Sequence, residues 1–175
     1  MNVLVSYASR MGSSREIAAR IAATLREGGL DATVQAADRT ADITAYDAFV
    51  IGSGVYAGHW LKEATEFVWR NRALLADRPV WLFSSGPVGT SAVSHPPVDP
   101  KEIAHIVAAI APREHDVFAG ALDRQAVDGA GLGVAERFVA KRFVPEGDFR
   151  DWDEIDAWAR MIGRTLARDP VATRG

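Results

Sequence analysis

The stretch that decides the fold is Asn2-Val3-Leu4-Val5-Ser6-Tyr7, followed by Ala8-Ser9-Arg10-Met11-Gly12-Ser13-Ser14. The first part is a short apolar run typical of a buried strand, and the second part is a Ser/Gly loop. An amphipathic helix is predicted next, over residues 15–27, with Gly28-Gly29 ending it. Because the first N–H groups of a helix have no intrahelical partner, this strand–loop–helix unit predicts an anion cradle.

The residue types in the loop indicate which anion it would take. Ser9, Ser13 and Ser14 supply hydroxyl donors, and Gly12 lets the backbone pass close to an anion. The loop has no Lys, which argues against a P-loop nucleoside triphosphatase, and it lacks the G-x-G-x-x-G dinucleotide pattern. A site of hydroxyls and amides suits a monophosphate such as FMN. An ordinary N-capped turn is the alternative that the loop alone leaves open.

The composition narrows the class of protein. The chain has 175 residues, a net charge of −3 and no Cys. Disulfides, thiol catalysis and thiolate metal sites are therefore excluded, and nothing in the charge favours a nucleic-acid partner. We expect a single domain over residues 1–168 and a flexible tail at 169–175. Because no N-terminal signal or membrane-spanning apolar run is found in the sequence, the expected location is cytoplasmic.

Strand and helix patterns alternate along the chain. Strands are predicted at 2–7, 32–36, 48–53, 80–84 and 115–122. Helices are predicted over 60–75, from Asp99-Pro100 to about Ile110, and from Asp151 onward. This alternation predicts right-handed βαβ crossovers, so the expected fold is a three-layer α/β sandwich around a five-stranded parallel sheet of order 2-1-3-4-5.

The loops after strands 1, 3 and 4 are expected to meet, because ligands of such sheets bind beyond the carboxyl ends of the strands where the winding reverses. Strand 3 is followed by Ser53-Gly54-Val55-Tyr56-Ala57-Gly58-His59-Trp60, and strand 4 by Ser85-Gly86-Pro87-Val88-Gly89-Thr90. Such loops beside a phosphate site can hold a flat heteroaromatic ring. The predicted cofactor-binding residues are Ser9, Arg10, Met11, Gly12, Ser13, Ser14, Ser53, Gly54, Val55, Tyr56, Ala57, Gly58, Ser85, Gly86, Pro87, Val88 and Gly89.

These residues resemble the flavodoxin family, in which a T-x-T-G-x-T loop takes the place of residues 9–14. One branch of the family, the menaquinone-dependent protoporphyrinogen oxidases and their flavodoxin-domain relatives, is similar over most of the chain. The similar stretches are residues 7–18, Tyr46-Asp47, the Tyr56-x-Gly58-His59 loop, residues 118–122 and residues 151–153. The resemblance implies a flavodoxin-like fold, FMN as the cofactor, and oxidation of a porphyrinogen with electrons passed to a quinone. The chain departs from the flavodoxin pattern at Met11, where Thr is usual, and after strand 4, where the Tyr that stacks on FMN in many flavodoxins is missing.

That branch of the family also carries an extra segment before the last helix, which here spans residues 123–150. Within it, residues 132–144 are predicted to form a helix with an apolar face. This face would dock on the inner face of a membrane, or over a porphyrin or quinone, or would simply pack on the domain. The sequence leaves these alternatives open.

Two side chains are candidates for catalysis. Tyr56 would stack on the flavin or the substrate, and His59 would hydrogen-bond the flavin or relay a proton. Trp60 would stack on the flavin or a substrate, or it is a core aromatic residue, and the sequence favours neither. Arg10 would screen the phosphate or the substrate's carboxylates, or it is an exposed loop cation, and again neither is favoured. His115 is expected to have no chemical role, and the His residues are too scattered to predict a metal site.

Two other functions remain open at this point. The chain would be a flavodoxin-like electron carrier that docks on redox proteins, which a strongly acidic face would favour. Alternatively, it would be a non-catalytic module that binds another phosphorylated ligand, such as a deazaflavin, which the departure at Met11 would favour. The oligomeric state is not indicated by the sequence.

Overall fold

A parallel sheet lies at the centre of the fold. The computed structural model describes residues 1–86, 100–122 and 146–168. Within these ranges five parallel strands form the sheet: β1 (Asn2–Ala8), β2 (Asp31–Ala36), β3 (Ala48–Tyr56), β5 (Val80–Ser85) and β6 (Glu114–Phe118). The short β4 (His59–Trp60) pairs antiparallel with the end of β3. The strand order is β2-β1-β3-β5-β6, which confirms the predicted order because β5 and β6 are the fourth and fifth predicted strands.

The helices form a layer on each side of the sheet. They are α1 (Ser13–Glu27), α2 (Lys62–Ala76), α3 (Ile103–Ile110) and α4 (Trp152–Arg168). Side chains of α1 and α4 form one core cluster with the sheet, and side chains of α2 and α3 form the other. The three-layer flavodoxin-like sandwich is therefore confirmed.

The buried strands explain both clusters. In β1, Val3 and Val5 pack toward α1 and α4, whereas Leu4 packs toward α2 and α3, since successive side chains of a strand point to opposite faces. The apolar run at the start of β3 is buried throughout, as its sequence predicts for a strand covered on both faces. The apolar side of the amphipathic helix predicted over residues 15–27 is also buried, with Ile17, Ile21 and Leu25 in the core.

Several boundaries differ from the prediction: α1 begins at Ser13 instead of residue 15, and β3 extends to Tyr56 instead of ending at residue 53. The helix predicted over 60–75 begins at Lys62, because Trp60 belongs to β4. The helix predicted to start at Asp99-Pro100 begins at Ile103, and the N–H of Ile103 donates to the Pro100 carbonyl in the turn before it. The predicted strand 115–122 is split, because the chain leaves the sheet after Phe118 and continues as β7 (Ala121–Leu122).

A small antiparallel ribbon precedes α4. It consists of β7 and β8 (Gly147–Asp148), in which Leu122 is paired with Gly147. The helix predicted over 132–144 and the tail at 169–175 lie outside the described residues, so both stay predictions. In the part of the chain that is described, no helix is long and apolar enough to cross a membrane.

Candidate functional site

The carboxyl ends of three strands lie at one level of the sheet. Ala8 at the end of β1 is paired with Ser53 of β3, and the next residue of β3, Gly54, is paired with Ser85 of β5. The helices that follow β1 and β3 pack on opposite faces of the sheet. Because the winding reverses between these neighbouring strands, the crevice predicted from the sequence lies at the switch point of the fold.

The first loop forms a tight turn into α1. The N–H of Gly12 donates to Ser9 Oγ over 3.0 Å, and Gly12 precedes the helix with a φ of 91°. This left-handed conformation favours glycine. Among the described residues no side chain caps the helix, so the N–H groups of its first turn, from Ser13 to Arg15, are available to an anion.

The Ser13 hydroxyl joins this loop to two other parts of the crevice. Ser13 Oγ lies 3.1 Å from Ser85 Oγ, and it accepts the N–H of Ala121 over 3.1 Å. Ser14 is buried beside it, only 2% exposed. The structure thus brings the first loop together with the end of β5. It also places the backbone after β6 beside this loop, a contact that the sequence did not indicate.

The loop after β3 is a tight hairpin. Ala57 and Gly58 both have positive φ, of 51° and 79°, and they connect the paired residues Tyr56 and His59. Two central residues of positive φ are typical of the type I′ turn, which suits the twist of a hairpin. A non-glycine residue in this conformation is strained, and such strain is common at functional sites.

Tyr56 lies against the first loop. A Cβ atom placed on Gly54 would be 2.9 Å from Tyr56 Cε2 and 3.2 Å from Ser14 Oγ, so the tyrosine ring covers Gly54 next to the start of α1. The Arg10 guanidinium lies 5.4 Å from the ring centre. Burial raises the pKa of Tyr56, although hydrogen bonds from the backbone of Arg10 and Met11 act in the opposite direction. Tyr56 therefore shares the crevice with the anion cradle.

Other predicted site residues have internal partners. Ser53 is fully buried, and its hydroxyl donates to the Gly54 carbonyl and accepts the N–H of Leu61, both over 2.9 Å. The N–H of Gly86 donates to the Phe118 carbonyl over 2.9 Å. These groups hold the crevice in shape. Pro87, Val88 and Gly89 lie outside the described residues, and their predicted role stays a prediction.

A buried polar chain anchors Trp60 of the hairpin in the core cluster that α2 and α3 cover. The indole N–H of Trp60 donates to Ser84 Oγ over 2.8 Å, and Ser84 Oγ lies 2.9 Å from His115 Nε2. Trp60 is only 4% exposed, which agrees with its interpretation as a core aromatic residue. Ser84 and His115 carry no local sequence signal for this contact, because 24 and 55 positions respectively separate them from Trp60.

Glu102 is a further residue that the sequence analysis did not connect with the site. Its Oε1 lies 2.6 Å from His59 Nδ1, and its Oε2 accepts the N–H of Trp60 over 3.1 Å. Partial burial raises the pKa of Glu102, but the hydrogen bonds from His59 and Trp60 outweigh it and leave the pKa below its ordinary value. Glu102 lies at the start of the helix predicted from Asp99-Pro100, and no local sequence signal connects it with the hairpin.

The donor groups around the first loop fit a phosphate. They are backbone N–H groups at a helix start and serine hydroxyls, and the glycine at the turn leaves room for an anion to approach. A flat ring could approach Gly58 and Gly86 on the two flanking loops, whereas Gly54 is covered by the ring of Tyr56. The chemistry of the crevice thus agrees with a phosphorylated aromatic cofactor such as FMN.

Comparison with known proteins agrees with this site. A family model described as the flavodoxin domain matches residues 4–138. Over 86 residues the chain is 33% identical to the protoporphyrinogen IX dehydrogenase [quinone] of Escherichia coli K12, an alignment that covers 48% of each protein. The chain thus spans about half the length of the curated relatives that it matches.

Solved structures share the fold at low sequence identity. A flavodoxin mutant from Pseudomonas aeruginosa is 15% identical, with a TM-score of 0.58 over 95% of this chain and 99% of that one. The rubredoxin oxygen:oxidoreductase of Desulfovibrio gigas, also 15% identical, gives a TM-score of 0.63 over 98% of this chain but only 37% of that one. These likenesses concern the fold, whereas the family match covers most of the sequence. The chain therefore belongs to the flavodoxin domain family, and this membership indicates that it binds FMN.

Proposed function

We propose that the chain is an FMN-dependent oxidoreductase that oxidises a porphyrinogen and passes the electrons to a quinone. The observation that carries the proposal is the uncapped start of α1 at the switch point, between the β3–β4 hairpin and the end of β5. The partial likeness to a protoporphyrinogen dehydrogenase supports the choice of substrate and acceptor.

Different residues of the crevice would bind the phosphate and the ring of the cofactor. The first-turn N–H groups of α1 and the hydroxyls of the 9–14 loop would bind the phosphate. The ring would lie between residues 54–58 and the loop that starts at Ser85. When bound, FMN would supply the electron and hydride chemistry, while the protein orients it and excludes water. Tyr56 and His59 are the side chains that we propose to contact the ring or the substrate.

The proposed quinone acceptor also has a consequence for the location of the protein. A lipid-soluble quinone would be met at a membrane surface. The apolar face predicted for residues 132–144 would supply a peripheral contact there. A cytoplasmic protein with a weak contact to the inner face of the membrane is therefore part of the proposal.

The first experiment tests the cradle with two matched glycine variants. Gly12→Ala and Gly29→Ala each place a side chain at a positive φ, of 91° and 86°, at opposite ends of α1. Because neither Cβ would clash, both variants carry a similar backbone strain of about 1–2 kcal/mol. We expect Gly12→Ala to weaken FMN binding roughly 5–30-fold and to leave the affinity for riboflavin, which lacks the phosphate, unchanged. Gly29→Ala is expected to change neither the affinity for FMN nor that for riboflavin.

The second experiment tests the reaction. The FMN-loaded protein is expected to turn over porphyrinogen with a quinone as acceptor. Turnover only with a protein acceptor would instead identify an electron carrier. A protein that retains no FMN after reconstitution would contradict the proposal and favour another phosphorylated ligand, such as a deazaflavin.

A further inference from the structure

A carboxylate outside the three loops holds the β3–β4 hairpin. Both oxygens of Glu102 are engaged by consecutive residues of β4, at 2.6 Å from His59 Nδ1 and 3.1 Å from the Trp60 nitrogen. The next contact runs from the N–H of Lys101 to the Gly58 carbonyl over 3.2 Å. The start of α3 therefore holds the turn of the hairpin at three points.

This contact determines which nitrogen of His59 carries a hydrogen. An ionised carboxylate can only accept a hydrogen bond, so His59 Nδ1 must be the donor to Glu102. In a neutral imidazole only one nitrogen is protonated, and Nε2 is then left with a free lone pair. Within the part of the chain that the structure describes, Nε2 makes no hydrogen bond that would compete for this lone pair.

The position of His59 makes the lone pair accessible. His59 is the cross-strand partner of Tyr56, whose ring covers the start of the anion cradle. Side chains of directly paired residues are neighbours on one face of a hairpin. The His59 side chain is 48% exposed, and the Glu102 side chain behind it is 27% exposed. The imidazole therefore stands at the rim of the crevice, with its partner on the side of α3.

We propose that Glu102 is a positioning residue that fixes His59 as the Nδ1–H tautomer, so that Nε2 accepts a proton from the substrate. This inference rests on the proposed function. In that reaction the porphyrinogen would give up a hydride and a proton, and bound FMN would supply the hydride acceptor. The quinone would be the final oxidant and would become a quinol with a proton from solvent. His59 Nε2 would take the substrate's proton and release it to solvent. A carboxylate on the far nitrogen is a common device for orienting a reactive His.

Glu102→Gln is the direct test. The amide oxygen still accepts the N–H of Trp60, but the amide nitrogen now donates to His59 Nδ1, so the neutral ring must carry its hydrogen on Nε2. We expect imidazole 15N spectra of the protein, with and without FMN, to change from Nδ1–H to Nε2–H. We also expect kcat to fall about 10²- to 10⁴-fold, with little change in KM or FMN affinity.

Two further variants complete the test. Glu66→Gln removes a carboxylate from the exposed Lys62–Glu66 pair of α2 and is expected to leave both the spectra and kcat unchanged. His59→Asn keeps a donor for Glu102 but has no group in place of Nε2, so kcat should fall as far as in Glu102→Gln while the hairpin stays intact. Because both changes remove one function, the double variant is expected to lose no more than either alone.

The outcomes separate this inference from the proposed function. An Nε2–H tautomer in the unaltered protein, or an unchanged tautomer in Glu102→Gln, would overturn the role of Glu102 whatever the activity. Unchanged turnover in His59→Asn would overturn the role of Nε2. A protein that shows the expected tautomer change but does not turn over porphyrinogen would contradict the proposed function and still support the positioning by Glu102.

Discussion

At the scale of single residues, Gly52 leaves room for the aromatic ring of Phe83 to lie over the neighbouring strand. A Cβ on Gly52 would lie 1.9 Å from Phe83 Cζ, because the ring of its cross-strand partner occupies that space. Phe83 is fully buried and packs on Phe118, with 6.2 Å between ring centres. We expect Gly52→Ala to lower the free energy of unfolding in urea by about 1–3 kcal/mol. Adding Phe83→Leu to that variant should recover part of the loss, and a loss that is not recovered would contradict this explanation.

Replacing two buried serines of neighbouring strands by Ala should have different effects on the free energy of unfolding. The Ser6 hydroxyl finds no hydrogen-bond partner among the described residues, whereas the Ser53 hydroxyl makes two bonds. We expect Ser6→Ala to leave the free energy of unfolding unchanged or to raise it by up to about 1 kcal/mol, since an unsatisfied polar group is removed. Ser53→Ala should lower it by about 1–3 kcal/mol, because it leaves the N–H of Leu61 unpaired. Equal losses in the two variants would show that Ser6 is also bonded.

At the scale of elements, α1 and α4 are joined by a charged contact. Arg20 Nε donates to Asp156 Oδ1 over 2.7 Å, and Thr24 Oγ1 donates to the same oxygen over 2.9 Å. The hydrogen bond from Arg20 lowers the pKa of Asp156 from its ordinary value. A lowered pKa stabilises the fold above the unfolded pKa of about 4, and this stabilisation is lost as the pH falls through the folded pKa.

The consequence is a measurable pH dependence. We expect urea unfolding to show a falling free energy of unfolding as the pH drops below about 5. Asp156→Asn should be less stable than the unaltered protein at neutral pH and should show a smaller fall in acid. Parallel pH profiles for the two proteins would mean that Asp156 contributes nothing to acid sensitivity.

The elements also show how far the sequence alone leads. The order of strands, the loop that leads into α1 and the position of the crevice are predicted from local patterns, since apolar periodicity and Ser/Gly loops reflect burial and turns. The sequence predicts Trp60 at the first position of a helix, because the apolar residues that follow it recur at helical spacing. Its place in β4 depends on Ser84 and Glu102, which are distant in the sequence and carry no local signal. For the same reason the contact of Ala121 with Ser13 was not predicted.

At the scale of the whole molecule, the β7–β8 ribbon brings the two ends of the segment between its strands together. Leu122 and Gly147 are paired, so Asn-Gly in place of residues 123–146 would close a two-residue hairpin. We expect this variant to fold and to bind FMN as the full chain does, because a shorter loop reduces the entropy lost on closure. Visible absorbance after desalting and urea unfolding measure the two properties. Loss of FMN would show that the replaced residues contribute to the cofactor site.

The shared contact at Ser13 has a consequence for the order in which the protein matures. One oxygen atom contacts groups 72 and 108 residues further along the chain, so its surroundings are complete only after β5 and the segment beyond β6 have docked. Contacts of such long range form late in folding. FMN would then be captured by a finished sheet and would not help to nucleate it. By mass action it would slow unfolding without speeding folding, and its uptake by newly made chains would report that folding is complete.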